Sequence, residues 1–237
     1  MERVSLITGG TRGIGFAIAE ALLGAGDRVA ITGTSSDGVD RATDALRSRT
    51  NVPDRVLGIT CDVRTASSVE TAFRTLDSRF GGVDVLVNNA GVGVGAPVAD
   101  LSEDEWRRII DTNLTGVFHC CKAAIPRLRR RGGGWIINIS SLASKNPFAG
   151  GAAYCASKAG LNAYSEALMQ ELRYDDIRVS YLLPGSVATG FSGRGPAEGG
   201  DWRLQPEDVA HAILDLLRHP VRSLPSCVEI RPSRPRK

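Results

Sequence analysis

Short β-branched apolar runs alternate with longer stretches of helical period along nearly the whole sequence, and few folds accept such a rhythm. Val4 to Thr8 is followed by Ile14 to Gly24, Val29 to Thr32 by Val39 to Arg49, and Val56 to Cys61 by Ala66 to Phe80. The pattern continues with Val83 to Asn88, a long helical stretch from Ser102 to Arg131 broken near Thr112, Trp135 to Ser141, Ala152 to Arg173, Ile177 to Leu183, Pro206 to Arg218 and Cys227 to Ile230. Strands this uniformly apolar are buried on both faces. The expectation is therefore an α/β fold: one domain over residues 1–237, with a doubly wound parallel sheet of seven strands, helices on both faces and right-handed crossovers. In such a sheet ligands bind at the carboxyl ends of the strands. Ser102 with Glu105 predicts a capping box, and Pro206 with Glu207 and Asp208 predicts the first turn of a helix.

Composition narrows the function classes. With 237 residues, 42% of them hydrophobic, the chain can build a large core without staples. A net charge of +3 is too small to point to a nucleic-acid partner. The five cysteines form no CxxC pair, so neither a disulfide framework nor a zinc site is expected, and a reducing cytoplasm is the natural compartment. No apolar leader and no membrane-spanning stretch is expected either. His119, His211 and His219 lack partners at ligand spacing and are read as structural or surface residues. The Gly- and Pro-rich stretch between the sixth strand and the Pro206 helix, about residues 190–205, is read as a mobile loop over the site.

Directly after the first strand, Thr8-Gly9-Gly10-Thr11-Arg12-Gly13-Ile14-Gly15 opens a helix, where glycines permit a tight turn and let backbone amides approach a diphosphate. The spacing of Gly9, Gly13 and Gly15 is not GxGxxG; it resembles the TGxxxGxG turn of the short-chain dehydrogenases/reductases. The second strand ends at Gly33-Thr34-Ser35 without the acid that would accept from the 2′-hydroxyl of NAD(H), and Arg12 offers a planar fork for a phosphate, so NADP(H) is favoured over NAD(H). The family often has an arginine where Thr34 stands, and here the sequence departs from it. The resemblance further implies that Asp62, beside Val63, contacts the adenine amino group. It also implies that Asn89, Ala90 and Gly91 of the NNAG segment line the cofactor cleft, and that Pro184, Gly185, Val187 and Thr189 clasp the nicotinamide.

Tyr154 and Lys158 stand four residues apart on one helical face. With four tyrosines and four lysines in the chain, chance supplies such a pair only roughly 0.07 times. A phenol of pKa ~10 needs lowering by ~3 units to exchange protons near neutrality, and an ammonium ~4 Å away is expected to provide about that much. The resemblance makes Tyr154 the acid-base group, with Ser141 bonding the substrate oxygen and Asn113 holding a water that links the lysine to solvent. Ser140, facing the other side of the strand, and Cys155 are read as structural.

Three functions follow as alternatives. The first is an NADP(H)-dependent reductase of small ketones or aldehydes. The second is a 3-oxoacyl-(acyl-carrier-protein) reductase, for which Arg127, Arg129, Arg130 and Arg131 could form a basic docking patch, although helix-end charge is the preferred reading. Against this second reading, the glycine-rich VDGG-type tail usual in those reductases is absent. The third, a non-catalytic nucleotide sensor, would predict a broken set of catalytic residues, yet Asn113, Ser141, Tyr154 and Lys158 are all present. The resemblance implies pairing of subunits through the two long helices that hold Val117 to Leu128 and Leu161 to Leu172, whose apolar stripes exceed what one sheet face needs, in a homotetramer or homodimer.

Overall fold

The computed structural model describes residues 2–93, 95–191 and 202–235. Most of the expected 190–205 loop, residues 192–201, lies outside the described residues. Seven strands, β1 (Val4–Ile7), β2 (Arg28–Gly33), β3 (Val56–Thr60), β4 (Val85–Asn88), β5 (Gly134–Ile139), β6 (Ile177–Pro184) and β7 (Cys227–Ile230), form a sheet in the order β3-β2-β1-β4-β5-β6-β7. Every pairing is parallel. Side-chain alternation divides the core into two layers. Val4, Leu6, Leu86 and Ile136 face the helices α3 (Ala66–Phe80), α5 (Gly116–Arg131) and α6 (Ala152–Leu172). Ile7, Ile31, Val87 and Ile137 face α1 (Gly13–Gly24), α2 (Ser36–Thr50) and α7 (Pro206–Leu217).

Strand order reverses between β1 and β4. The chain runs outward through β2 and β3 and returns on the other side of β1, so the loops after β1 and β4 diverge and leave a crevice between them. The remaining helix, α4 (Glu103–Ile110), starts on the predicted Ser102–Glu105 capping box. Between α4 and α5 the backbone forms a π-turn over Asp111–Thr115, the physical form of the break expected near Thr112. α7 starts with Pro206 in its first turn, as the sequence predicts. Among the described residues no helix is long and apolar enough to cross a membrane.

Candidate active site

The crevice is a cleft of about 690 Å3 running from the ends of β2 and β3 across β1 and β4 to the ends of β5 and β6. Its centre is the glycine turn. Gly9 and Gly13 have φ of +65° and +55°, backbone that side chains with a Cβ rarely adopt. The N-terminus of α1 has no side-chain cap and no acid in its first turn, so its free N–H groups are left for an anion. Thr8 and Asn89 bind this turn to β4. The Thr8 hydroxyl accepts from the amides of Asn89 and Ala90 at 3.0 Å each, and Asn89 Nδ2 donates to the carbonyls of Thr8 and Gly9 at 3.0 Å. These features fit the diphosphate of a dinucleotide.

Most of the predicted cofactor residues line the cleft: Gly9, Thr11, Arg12, Gly13, Ile14, Thr34, Asp62, Val63, Asn89, Ala90, Gly91, Pro184, Gly185, Val187 and Thr189. Two do not. Gly15 is buried behind the turn, where a Cβ would lie 2.4 Å from both Asn89 Nδ2 and the Gly9 carbonyl, so it permits packing and not ligand contact. Ser35 caps α2, its hydroxyl accepting from Gly38 N at 3.3 Å. At the β3 end, Asp62 is gripped by Arg64, whose Nη2 donates at 2.6 Å and Nε at 3.0 Å, and this fork holds the carboxyl below its ordinary range. Sequence reasoning missed Arg64, Arg108, Phe191 and Arg203, which also line the cleft and belong to no motif. Among the described lining residues the cations are Arg12, Arg64, Arg108, Lys158 and Arg203 and the only acid is Asp62, so the cleft favours anions.

The catalytic candidates meet at the β4–β5 side. Ser141, Tyr154 and Lys158 all line the cleft. Lys158 is 4% exposed; its Nζ donates to the Ile139 carbonyl at 2.7 Å and lies 5.9 Å from the Tyr154 ring centre. Asn113 does not line the cleft. Buried in the π-turn, its Oδ1 accepts from Val92 N at 2.8 Å, and its Nδ2 donates to the Val92 carbonyl at 2.9 Å and to Ser157 Oγ at 3.0 Å. Ser157 in turn donates to the Tyr154 carbonyl at 2.7 Å, so Asn113 braces the helix that carries the tyrosine. Ser140 lines the cleft as well, and its hydroxyl donates to Asn162 Oδ1 at 2.6 Å and to the Lys158 carbonyl at 3.3 Å.

The electrostatics correct one expectation. Burial pushes the Tyr154 phenol up, only partly offset by the adjacent Ser141 hydroxyl, and burial pushes the Lys158 ammonium down to about 8. The lysine was expected to lower the phenol, but in this protein desolvation prevails for both groups. At neutral pH the phenol is therefore protonated, the form a proton donor starts from, while its raised proton affinity opposes the transfer.

The arginine patch is also accounted for. Arg127 is buried and pairs with Asp77 at 2.8 Å and Glu70 at 2.9 Å, Arg129 pairs with Asp175 at 2.6 Å, and Arg131 with Asp84 at 2.7 Å. Three of the four charges thus join α5 to the rest of the fold.

Comparison with known proteins agrees with this geometry. Residues 3–198 match the family model described as short chain dehydrogenase, and the chain belongs to that family of oxidoreductases. It is 34% identical to a 3alpha-hydroxysteroid dehydrogenase of Mediterraneibacter gnavus over 91% of this chain and 89% of the relative. It is 36% identical to a 3-oxoacyl-(acyl-carrier-protein) reductase of Haemophilus influenzae over 79% of this chain and 75% of that one. The structure superposes with a TM-score of 0.90 and 33% identity, covering both chains completely, on an alcohol dehydrogenase from the archaeon Thermococcus sibiricus complexed with 5-hydroxy-NADP.

Proposed function

We propose that the protein is an NADP(H)-dependent reductase of ketones or aldehydes, with Tyr154 as proton donor. The observation that carries this reading is the convergence of Ser141, Tyr154 and Lys158 on a cation-rich cleft built around a glycine turn. NADP(H) as the cofactor is supported by the structural relative crystallised with an NADP derivative, by the absence of an acid at Gly33-Thr34-Ser35 and by Arg12 at the turn. When bound, the cofactor supplies the hydride. The chain's own residues handle the oxygen: Ser141 and Tyr154 donate hydrogen bonds to the carbonyl, and Tyr154 delivers the proton as negative charge develops there. The Lys158 ammonium stabilises the tyrosinate left behind, and Asn113 keeps the tyrosine-bearing helix in register with the Val92 loop. The exposed Phe118 on α5 supports pairing of subunits through α5 and α6, in a homotetramer or homodimer.

The runner-up, reduction of a 3-oxoacyl group on an acyl-carrier protein, draws support from the Haemophilus relative. Against it, the arginines that would dock an acidic carrier are mostly engaged within the fold. The test is NADPH oxidation against an acetoacetyl thioester, a β-keto ester, simple ketones, a vicinal diketone and aromatic aldehydes, with NADH in parallel. Faster turnover of the free carbonyls with NADPH is the expected result; a strong preference for the thioester transfers the assignment to the carrier-linked reaction.

A further inference from the structure

Arg203 has no role in the chemistry above and, among the described residues, no partner for its charge. It lines the cleft, yet its guanidinium makes no hydrogen bond or ion pair among the described residues, and its Nε is buried without a partner. Its guanidinium carbon lies 5.6 Å from the Trp202 ring centre. A donor removed from water and left unpaired costs stability, so such a group is expected to meet an acceptor in use. The backbone holds it in place: Leu204 N donates to the Ser186 carbonyl at 3.0 Å and Ala188 N to the Leu204 carbonyl at 2.8 Å, pinning residues 203–205 beside the segment that leaves β6.

That position lies on the catalytic half of the cleft. β6 pairs with β5 up to Ile139, and Ser140 N donates to the Leu182 carbonyl, so the β6 exit is next to Ser141. The segment then crosses to Phe191, whose ring packs on Tyr154 at 5.8 Å between centres. Arg12, Arg64 and Asp62 belong to the opposite half, at the ends of β1 and β3, which separates Arg203 from an adenosine-side phosphate.

We infer that Arg203 forms an anion subsite at the catalytic end of the cleft, taking a carboxylate or phosphate oxygen through charge-assisted hydrogen bonds. Two sources offer that chemistry: an acidic group on the carbonyl substrate, or the nicotinamide-side phosphate of the dinucleotide. The inference deepens the proposed function and rests on it for the position of the carbonyl; the anion site itself is read by binding.

The test compares the unaltered protein with Arg203→Ala and Arg203→Lys. Titration calorimetry on the NADP+ complex measures binding of oxo-acids with one to five carbons between carbonyl and carboxylate, each against its methyl ester. NADPH affinity is read separately by fluorescence. The expected result is a loss of roughly 10- to 100-fold in oxo-acid affinity in Arg203→Ala, with the esters unaffected and part of the loss restored in Arg203→Lys. A similar loss in NADPH affinity instead supports the site and assigns its anion to the cofactor. Unchanged affinity for both, equal losses for acid and ester, or no preference for acid over ester in the unaltered protein with NADPH affinity indifferent to Arg203, overturns it. Arg203-dependent oxo-acid binding without turnover would leave the subsite standing while refuting the proposed reaction.

Discussion

Lys158→Met should make the protein more stable while disabling it. The ammonium is buried, and its pKa falls from 10.5 to about 8 because burial penalises the charged form. That difference corresponds to roughly 3 kcal/mol of stability. Below about pH 8 the lysine is charged in both the folded and the unfolded chain, and the penalty is present in full. Between about 8 and 10.5 the unfolded chain binds more protons than the folded one, so stability rises with pH. Methionine removes the charge and also the hydrogen bond to the Ile139 carbonyl, a loss of about 1 kcal/mol. The net gain at pH 7 is about 2 kcal/mol, a rise in Tm of roughly 4–8 °C for a chain of this size. Scanning calorimetry at pH 7 and about pH 10 should show the variant melting higher at pH 7 and the gap closing or reversing at the higher pH. A variant that melts several degrees lower at pH 7, by an amount independent of pH, would refute the reasoning.

Gly15→Ala should lower Tm by several degrees and NADPH affinity by about 10-fold or more, because the new Cβ meets the Gly9 carbonyl and Asn89 Nδ2 at 2.4 Å and must open the glycine turn; thermal melts and fluorescence titration check both, and unchanged values contradict the packing role. Arg12→Ala should weaken NADPH about 10-fold while leaving NADH within about twofold, measured by the same titration. Equal losses would place selectivity elsewhere. Arg127→Met leaves Asp77 and Glu70 without their partner and should lower stability by about 2 kcal/mol in a denaturant melt; an unchanged midpoint would show that the pairs contribute nothing.

The strands were legible because a sheet covered on both faces needs apolar residues at most positions, and such runs stand out between helical periods. The helix that carries the proposed acid-base pair was legible for a different reason: Tyr154 and Lys158 lie one turn apart, a distance that spacing alone fixes. Contacts that depend on chain return were not. Arg127 meets Asp77 and Glu70 across 50 and 57 residues of sequence, so one arginine of a row read as helix-end charge is buried in pairs with other parts of the fold, while Arg129 keeps its pair with Asp175 at the surface. Arg203 and Phe191 lie outside any motif and reach the cleft only because their segments fold back over β6 and Tyr154. Proton affinity was misjudged for a related reason. Charge spacing along a helix shows which groups are neighbours, whereas burial, which decides the direction for Tyr154 and Lys158, is a property of the assembled fold.

The central claim is that Tyr154 gives the proton to a carbonyl held in this cleft. Its most direct test is the NADPH-dependent reduction rate of Tyr154→Phe on the best carbonyl substrate, with NADPH affinity measured on the same protein. The account predicts a rate lower by about 100- to 10,000-fold with the affinity unchanged within about twofold. Turnover retained within about tenfold of the unaltered protein would contradict it.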